Sequence, residues 1–383
     1  MANKTDILHI QRINTLEGFY SLYEKWNALL NESPANSFFL RWEWLYNWWN
    51  AYKEDNYDLS ILLVFRGNNL IGIAPLYVKK NLWKDLITIR RLMFLGTKEG
   101  SVISEYMDII YRAGEEEAVI REITKFIVQQ DLCDDIFLNL IDASSKTIPL
   151  LEQTAHDMKF LYIVNNKVES PYINLQSSYD DFLKGLTASM RHKIRNNQRK
   201  LKRYANVVFR KTADTFEFES DFNEFVRLHQ NRWETRKMPG SFSAGSRFND
   251  FQEKVMKNML KNGHLELRFL SVADRNIAVL YNINYNNKIY FYQAGLDVSF
   301  DKNMAPGFVL HDYCIEEAIK AGLREYDFLL MGNKDSYKKQ WTKDSKYMCG
   351  IYMARPGIVK HGVQFKNKME SVYHTIKNSG SIH

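Results

Sequence analysis

The sequence is poor in the residues that build disulfides and metal sites. Its 383 residues include three cysteines, Cys133, Cys314 and Cys349, an odd number without paired spacing. This count argues against a disulfide framework or a zinc site, and the scattered histidines predict no other metal site. No nucleophile elbow, P-loop or dinucleotide fingerprint is present, which excludes the most recognisable hydrolase and nucleotide-binding classes.

Long hydrophobic runs are also missing. No segment approaches the roughly 18 apolar residues of a membrane span, and the first residues, MANKTDILHIQ, lack the apolar core of a secretory signal. We therefore expect no transmembrane segment and a cytoplasmic location. A hydrophobic content of 45% and a charged content of 25% are those of an ordinary globular protein. The net charge of +7 is compatible with anionic ligands but does not by itself imply nucleic acid.

Two parts of the chain show a similar order of predicted elements. Each contains a helix, a β-hairpin and a later crossover helix, predicted at 19–30, 59–78 and 115–130 and again at 224–236, 265–285 and 307–322. The polar segment 165–178 separates them. The sequence therefore predicts an α/β (α+β) protein with two similar halves, at 1–170 and 171–383, each a mixed twisted sheet flanked by helices.

A basic helix is predicted at 188–204. Residues 191–203 contain seven Lys or Arg and no acid, and arginines recur every four residues from Arg191 and Arg195 onward. Like charges at this spacing destabilise a helix by roughly 0.2–0.5 kcal/mol per pair unless an anion offsets them. We interpret Arg191 and Arg195 as candidate donor-binding residues for a phosphate, a pyrophosphate or an RNA backbone. The alternative is a solvated surface helix.

The loop 301–307 leads into the long helix predicted at 307–322. Pro306 at the first turn and the nearby Gly307 leave backbone N–H donors open, an arrangement that suits a phosphate-bearing ligand. Lys302, Ala305 and Gly307 are therefore candidate donor-binding residues. The alternative is an ordinary helix start without a ligand.

Candidate catalytic residues lie in and after a buried strand predicted within 326–332, which Asp327 ends. Asp327 could orient or deprotonate an amine, or could cap a helix or pair with a cation. Tyr337 could protonate a leaving thiolate, or could simply pack. Lys338 and Lys339 are adjacent, so in a helix about 100° separates them and we expect only one to face the site, with Lys339 a candidate for donor binding. In the first half, Tyr106 and Asp108 are candidate acceptor contacts.

These segments resemble the GNAT-fold acyltransferases of the CelD-like group, associated with polysaccharide synthesis and distantly similar to Fem peptidyltransferases. The resemblance rests on SMRHKIRNNQRKL, LHQNRWETR, FYQAGLD, APGFVL and YDFLLMGNKDSYKKQW, and in the first half on FFLRWEWLYNWW, IGIAPLYV and EYMDII. It implies tandem GNAT-like domains, with the acyl donor bound by the C-terminal one, the N-terminal one on the acceptor side, and the acceptor between them.

The resemblance also implies roles for single residues. It aligns Lys338 with the lysine of the Fem Phe-Lys pair, and that lysine contacts phosphate or stabilises charge. It also implies that Arg232 and Trp233 lie on the acceptor side. One segment departs from the family. The pyrophosphate loop of GNAT proteins is Gln/Arg-x-x-Gly-x-Gly/Ala, whereas this chain reads KNMAPG, with Ala305 at the first glycine. This departure leaves aminoacyl-tRNA or another thioester carrier open beside acyl-CoA.

The leading hypothesis is an N-acyltransferase without a tightly bound cofactor. It would move an acyl group from acyl-CoA or a carrier thioester to an amine on a sugar or on a cell-envelope or polysaccharide precursor. The first alternative is a Fem-type ligase that uses aminoacyl-tRNA. The second alternative is a non-catalytic binding protein of polysaccharide assembly that retains the fold.

Overall fold

The described part of the chain divides into two compact units. The computed structural model describes residues 7–355 apart from 84–86, 100, 165–166, 236–239, 244, 302 and 333–336. Within this part, residues 7–169 and 346–355 form the first unit and residues 170–345 form the second unit. None of the helices described there is both long enough and apolar enough to cross a membrane.

The first unit contains two sheets and a set of helices. In chain order its strands are β1 (Leu8–Ile13), β2 (Tyr57–Leu59), β3 (Ile61–Arg66), β4 (Asn69–Ala74), β5 (Leu76–Trp83), β6 (Ile87–Phe94), β7 (Ile110–Tyr111), β8 (Asp135–Asp142), β9 (Leu161–Val164) and β16 (Ser345–Ala354). Its helices are α1 (Leu16–Tyr20), α2 (Tyr23–Glu32), α3 (Trp42–Tyr52), α4 (Glu116–Gln129) and α5 (Thr147–Asp157), with a 3-10 turn at Phe38–Leu40. One sheet has the order β1-β3-β4-β7, and the other strands follow the order β2-β5-β6-β8-β16, with β9 also paired to β16.

The second unit is built around one mixed sheet. Its strands are β10 (Val168–Asn174), β11 (Val207–Lys211), β12 (Leu265–Val272), β13 (Arg275–Tyr285), β14 (Lys288–Leu296) and β15 (Glu325–Asp327), in the order β11-β12-β13-β14-β15-β10. Its helices are α6 (Tyr179–Gly185), α7 (Ala188–Leu201), α8 (Thr215–Glu234), α9 (Arg247–Lys261), α10 (Pro306–Lys320) and α11 (Lys338–Trp341).

Helices cover both faces of the second sheet because alternate strand residues point to opposite sides. Leu280 and Phe291 belong to an apolar cluster with residues of α6, α7 and α10. Tyr281, the neighbour of Leu280, contacts the other layer, where its ring lies edge-on to Phe225 of α8 and its hydroxyl donates to Gln252 of α9. The sheet is thus a central layer between α6, α7 and α10 on one face and α8 and α9 on the other.

Both units contain a parallel crossover. In the first, β6 runs parallel to β8 after the intervening α4, and in the second, β14 runs parallel to β15 after α10. The helices predicted at 115–130 and 307–322 are these two crossover helices. The four tryptophans of α3 are buried, as core packing predicts.

The last strand departs from the predicted domain limits. The sequence places all of 171–383 in one domain, whereas β16 pairs with β8 and β9 and belongs to the first unit. The physical reason is its burial: residues 348–354 are buried in an unbroken run. A strand that is apolar on both faces is stable where other strands flank it.

Candidate functional site

The pairing of β14 with β15 ends early and leaves an opening in the second unit. Its last parallel pair joins Tyr290 to Asp327, although β14 continues beyond that point. A register shift opposite Tyr281 marks a β-bulge in the pairing of β14 with β13, and bulges bend a strand locally. We call the region between residues 291–296 and residues 328–330 the β14–β15 opening.

Asp327 lies at the inner end of the opening. Its side chain is fully buried, and its Oδ1 accepts hydrogen bonds from the backbone N–H of Leu329 at 2.7 Å and from Ser170 Oγ at 3.2 Å. Leu329 has a φ of 58°, so the chain leaves the extended conformation just after Asp327. For this reason β15 stops at Asp327, and the strand predicted within 326–332 is shorter than expected.

Lys338 holds the segment that follows β15. Its side chain is 1% exposed, and its Nζ donates to the carbonyl oxygens of Phe328 at 2.8 Å and Leu330 at 2.6 Å. The ammonium therefore faces the backbone rather than solvent, which fits charge stabilisation better than direct phosphate contact, the two roles that the resemblance implied. Lys339 is exposed, in agreement with the expectation that only one of the two lysines points inward.

His311 of α10 contributes a neutral imidazole to the same region. It is 3% exposed, and its Nδ1 lies 2.9 Å from the hydroxyl of Tyr326. Burial, reinforced by the positive charges of Lys338 and Arg232, lowers the pKa of His311 to about 3. The ring of Tyr337 lies 6.2 Å from the imidazole, between centroids. The predicted residues Asp327, Tyr337 and Lys338 thus share one region with a histidine.

Helix α8 reaches the opening from the other face of the sheet. Trp233 Nε1 donates to His229 Nε2 at 2.9 Å, and Gln293 Oε1 lies 3.2 Å from the same nitrogen. Burial lowers the pKa of His229 to about 4, so this imidazole is also neutral at pH 7. Trp233 is 4% exposed, so its contribution is to fix His229 from within the core. Arg232, next to it, is 8% exposed, and its buried Nε has no hydrogen-bond partner among the described residues.

The start of α10 lies beside the end of β14. Ala305 flanks the helix and Pro306 occupies its first turn. A Cβ on Gly307 would lie 2.9 Å from Leu296 Cδ2, so the missing side chain lets the first turn approach the strand. A helix start presents N–H groups and the positive end of the helix dipole, which together attract phosphate. Lys302, the remaining loop candidate, lies outside the described residues.

Helix α7 brings lysines to this helix start. Lys200 Nζ donates to the carbonyl oxygen of Asn303, and Lys193 Nζ lies 4.4 Å from the centroid of the Phe308 ring. Gln198 Nε2 donates to Asp312 of α10 at 3.0 Å, which ties the two helices together. The basic helix and the loop before α10, proposed separately from the sequence, are therefore neighbours.

The two candidate arginines of α7 differ in their surroundings. Arg191 is half-buried, and its Nη1 donates to the carbonyl oxygens of Lys184, at 3.3 Å, and Leu186. It therefore satisfies acceptors at the end of α6. Arg195 is exposed, and no ion pair of Arg195 with any residue of the described part is present. Arg195 is thus better placed than Arg191 to meet an external anion.

Tyr106 and Asp108 belong to the first unit. Asp108 is buried and accepts hydrogen bonds from Ser145 Oγ and Thr147 Oγ1, each at 2.5 Å. Burial raises the pKa of Asp108 to about 6. Tyr106 is half-buried with a φ of 51°, and Lys346 Nζ lies 5.6 Å from its ring centroid. The bonds of Asp108 run to its own unit, so it is engaged in holding the start of α5 rather than facing solvent.

Sequence reasoning missed His311, His229 and Gln293. The sequence indicates no role for the two histidines, because nothing in the spacing of residues places α8 and α10 on opposite faces of one strand. A usable signal was present for His311, which lies little more than one turn after Pro306, in the helix that starts at the opening. Among the described residues, no group of His, Cys, Asp and Glu is arranged to hold a metal ion.

Comparison with known proteins gives a family match for part of the chain and several structures of similar fold. Residues 188–339 match the model of the acetyltransferase (GNAT) domain family. The structure is similar to the crystal structure of FemX, with 11% identity, a TM-score of 0.59 and coverage of 90% of this chain and 96% of that one. It is also similar to L-PGS from Bacillus licheniformis, with 14% identity, a TM-score of 0.51 and coverage of 86% and 91%. A protein of unknown function from Bacteroides thetaiotaomicron VPI-5482 gives 12% identity, a TM-score of 0.54 and coverage of 91% and 100%. No protein of curated function matches the sequence.

The comparison confirms the predicted mixed α/β fold, which this chain shares with FemX. The match at residues 188–339 identifies a GNAT acetyltransferase domain in that part of the chain and supports the predicted acyltransferase activity. The structural likenesses, at 11–14% identity, show the shared fold alone. Membership of the CelD-like group stays a prediction.

Proposed function

We propose that this acyltransferase moves an acyl group from CoA or a carrier thioester to an amine on a sugar or on a cell-envelope or polysaccharide precursor. The observation that carries the proposal is the β14–β15 opening. At its outer end lies the start of α10 with Lys193 and Lys200, and at its inner end lie Asp327, Tyr337 and Lys338. This arrangement supports a donor whose phosphates sit at the helix start and whose thioester reaches inward.

The reaction then proceeds in the inner part of the opening. The amine nitrogen attacks the thioester carbonyl, and the new C–N bond forms as Asp327, or a water that it orders, takes the proton of the amine. A backbone N–H of β14 holds the carbonyl oxygen as negative charge develops on it. The C–S bond breaks, and Tyr337 gives its proton to the departing thiolate.

The structure changes the role we propose for Lys338. Because its ammonium is bonded to the carbonyls of Phe328 and Leu330, it acts through position and charge. It fixes the segment that follows Asp327, and it leaves a positive charge near the place where the oxyanion and the thiolate form. Direct phosphate contacts are assigned instead to the start of α10, to Lys193 and Lys200, and to Arg195.

A Fem-type reaction with aminoacyl-tRNA is the second candidate. The observation in its favour is the exposed side of α7, where Arg195, Arg199 and Arg203 have no acidic partner among the described residues. The sequence KNMAPG at 302–307 also favours the Fem-type reaction, because it lacks the usual glycine pair of the pyrophosphate loop. Acyl-CoA remains the first choice because a helix start flanked by lysines is sufficient for a pyrophosphate.

Native mass spectrometry of freshly purified protein separates the two donors. We expect a bound species whose mass equals a CoA thioester, released on denaturation. Co-purified RNA, with binding that weakens steeply as salt rises, would replace the leading proposal by the Fem-type reaction, because phosphate contacts release counterions. The cytoplasmic location expected from the sequence stays a prediction.

A further inference from the structure

Arg232 carries a buried positive charge that has no acidic partner among the residues that the structure describes. The residue is 8% exposed, its Nε is buried and unbonded, and its guanidinium forms no ion pair within the described part of the chain. The comparable arginine of the first unit is different. Arg91, 9% exposed, donates to both carboxylate oxygens of Asp135, at 2.8 and 2.6 Å, and to Glu99 at 2.7 Å.

An isolated buried charge is unfavourable unless something compensates it. The neighbouring groups that the structure describes do not compensate the charge of Arg232. His229, one turn earlier on α8, and His311 on α10 have pKa values of about 4 and about 3, lowered first by burial and then also by the Arg232 charge. Both are neutral at pH 7, and Lys338 adds a second positive charge to the region. The missing negative charge is therefore expected from a ligand.

The position of Arg232 narrows the choice of ligand. Helix α8 lies on the face of the sheet opposite α10, since a Cβ on Gly295 would lie 2.7 Å from the backbone nitrogen of His229. The donor phosphates are assigned to the α10 face, where Lys193 and Lys200 lie. An anion at Arg232 is accordingly a separate group near the reacting atoms. The guanidinium group of Arg232 is planar and is buried on its Nε side. A planar carboxylate is the anion that can accept two parallel N–H hydrogen bonds from such a group.

We infer that Arg232 binds a carboxylate of the acceptor, so that the acceptor is an amine-bearing acid such as an amino acid or an amino sugar acid. This inference rests on the proposed function, because the acceptor is defined only for acyl transfer. The binding of a carboxylate by Arg232 can be tested without any turnover. Arg227 is a matched control on the same helix, since it is exposed and paired with Glu224 at 2.7 Å.

The first experiment measures thermal unfolding of the whole chain at constant ionic strength with acetate, acetamide or inorganic phosphate. We expect acetate to raise Tm of the wild type and of Arg227→Gln more than acetamide does, and to have no such effect on Arg232→Gln. Without ligand, Arg232→Gln should unfold about 2 °C or more above the wild type, because a buried unpaired charge is removed. An equal acetate response in wild type and Arg232→Gln overturns the inference. A response to phosphate alone overturns the choice of carboxylate.

The second experiment compares acceptors that differ only in charge. With alanine and alaninamide as amines, Arg232→Gln should lower kcat/KM for the acid at least 30-fold and leave that for the amide within about threefold, while Arg227→Gln changes neither. If the loss instead follows a carboxylate on the acyl group, as between succinyl-CoA and butyryl-CoA, the assignment to the acceptor is overturned. If no acyl transfer occurs at all while acetate binding still requires Arg232, the proposed function fails and the ligand class at Arg232 stands.

Discussion

At the scale of single residues, the interior of this protein holds charged groups in three chemical settings. Arg91 is paired with carboxylates and Lys338 is hydrogen-bonded to backbone carbonyls, whereas Arg232 has neither kind of partner within the described part of the chain. The first two arrangements satisfy the buried charge within the fold. The third leaves a group for a ligand to satisfy, which is typical of binding sites. Substitutions at the three positions should therefore change the stability of the fold by amounts that differ in sign as well as in size.

Lys338→Ala should destabilise the second unit. Removing the ammonium leaves the carbonyls of Phe328 and Leu330 buried without their donor, at a cost of about 1–3 kcal/mol for each unsatisfied group. We expect the free energy of unfolding in urea to fall by roughly 2–4 kcal/mol. Lys339→Ala, exposed and adjacent, should change it by no more than about 0.5 kcal/mol. Equal stability of the two variants would show that the carbonyl bonds of Lys338 do not stabilise the fold.

His311 should make stability depend on pH. Its folded pKa of about 3 lies below its ordinary value of 6.5, so between these values the unfolded chain binds more protons. Its stabilising contribution is therefore complete above pH 6.5 and declines as pH falls, with a slope of up to about 1.4 kcal/mol per pH unit. Asp312, whose pKa is raised by burial to about 6, acts in the opposite direction, so the wild-type curve alone is not diagnostic.

The difference between wild type and His311→Gln isolates this effect. Glutamine removes the titrating group, so on going from pH 7.5 to pH 5 the wild type should lose about 2 kcal/mol more unfolding free energy than the variant. Chemical denaturation at the two pH values measures it. A difference that stays constant with pH would mean that His311 titrates normally in the folded chain.

At the scale of elements, the site depends on a close crossing of α8 over β14. Gly295 lies at the crossing, where a Cβ would be 2.7 Å from the backbone nitrogen of His229 and 2.7 Å from Leu228 Cβ. This approach brings His229 to the β14–β15 opening, where its Nε2 lies 3.2 Å from Gln293 Oε1, and Arg232 follows His229 by three residues on α8. The glycine is therefore required by packing rather than by a turn.

Gly295→Ala should separate the two elements. A backbone nitrogen cannot rotate away as a side chain can, so we expect a loss of about 1–3 kcal/mol of unfolding free energy and weaker acyl transfer, because Arg232 and His229 move. Gly185→Ala serves as the control, since no atom lies within 4 Å of its added Cβ. It should be neutral or slightly stabilising at the end of α6. Wild-type stability in Gly295→Ala would contradict the close crossing.

At the scale of the whole molecule, the periodicity of apolar residues predicted the helix and sheet layers better than it predicted the candidate functional site. The crossover helices follow from apolar spacing, and the strands at 265–272 and 288–296 follow from their richness in apolar residues, since both strands are buried along nearly their whole length. The strand predicted within 326–332 is shorter because Asp327 and Lys338 bind the backbone beyond it, and side-chain bonds of this kind have no periodic signature. The missing partner of Arg232 is likewise a property of the assembled second unit, and no local pattern indicates it.

The place of β16 was also beyond local reasoning. Its residues are compatible with a buried strand in either half of the protein. Its pairing with β8 and β9 shows that it belongs to the first unit. Local sequence does not predict the identity of the acyl donor either. The segment KNMAPG departs from the family loop, while the lysines of α7 that lie beside it come from a segment about one hundred residues earlier.

The most direct test of acyl transfer in the β14–β15 opening is the amine-dependent release of free thiol from acyl-CoA, followed with purified wild type and Asp327→Asn. The amide keeps an oxygen for the N–H of Leu329 but cannot take a proton from the amine. We predict amine-dependent thiol release by the wild type and by Asp250→Asn, an exposed control on α9, and a loss of about 100-fold or more in Asp327→Asn with the fold intact. Equal release by wild type and Asp327→Asn, or no release from any CoA thioester, would contradict the proposed reaction.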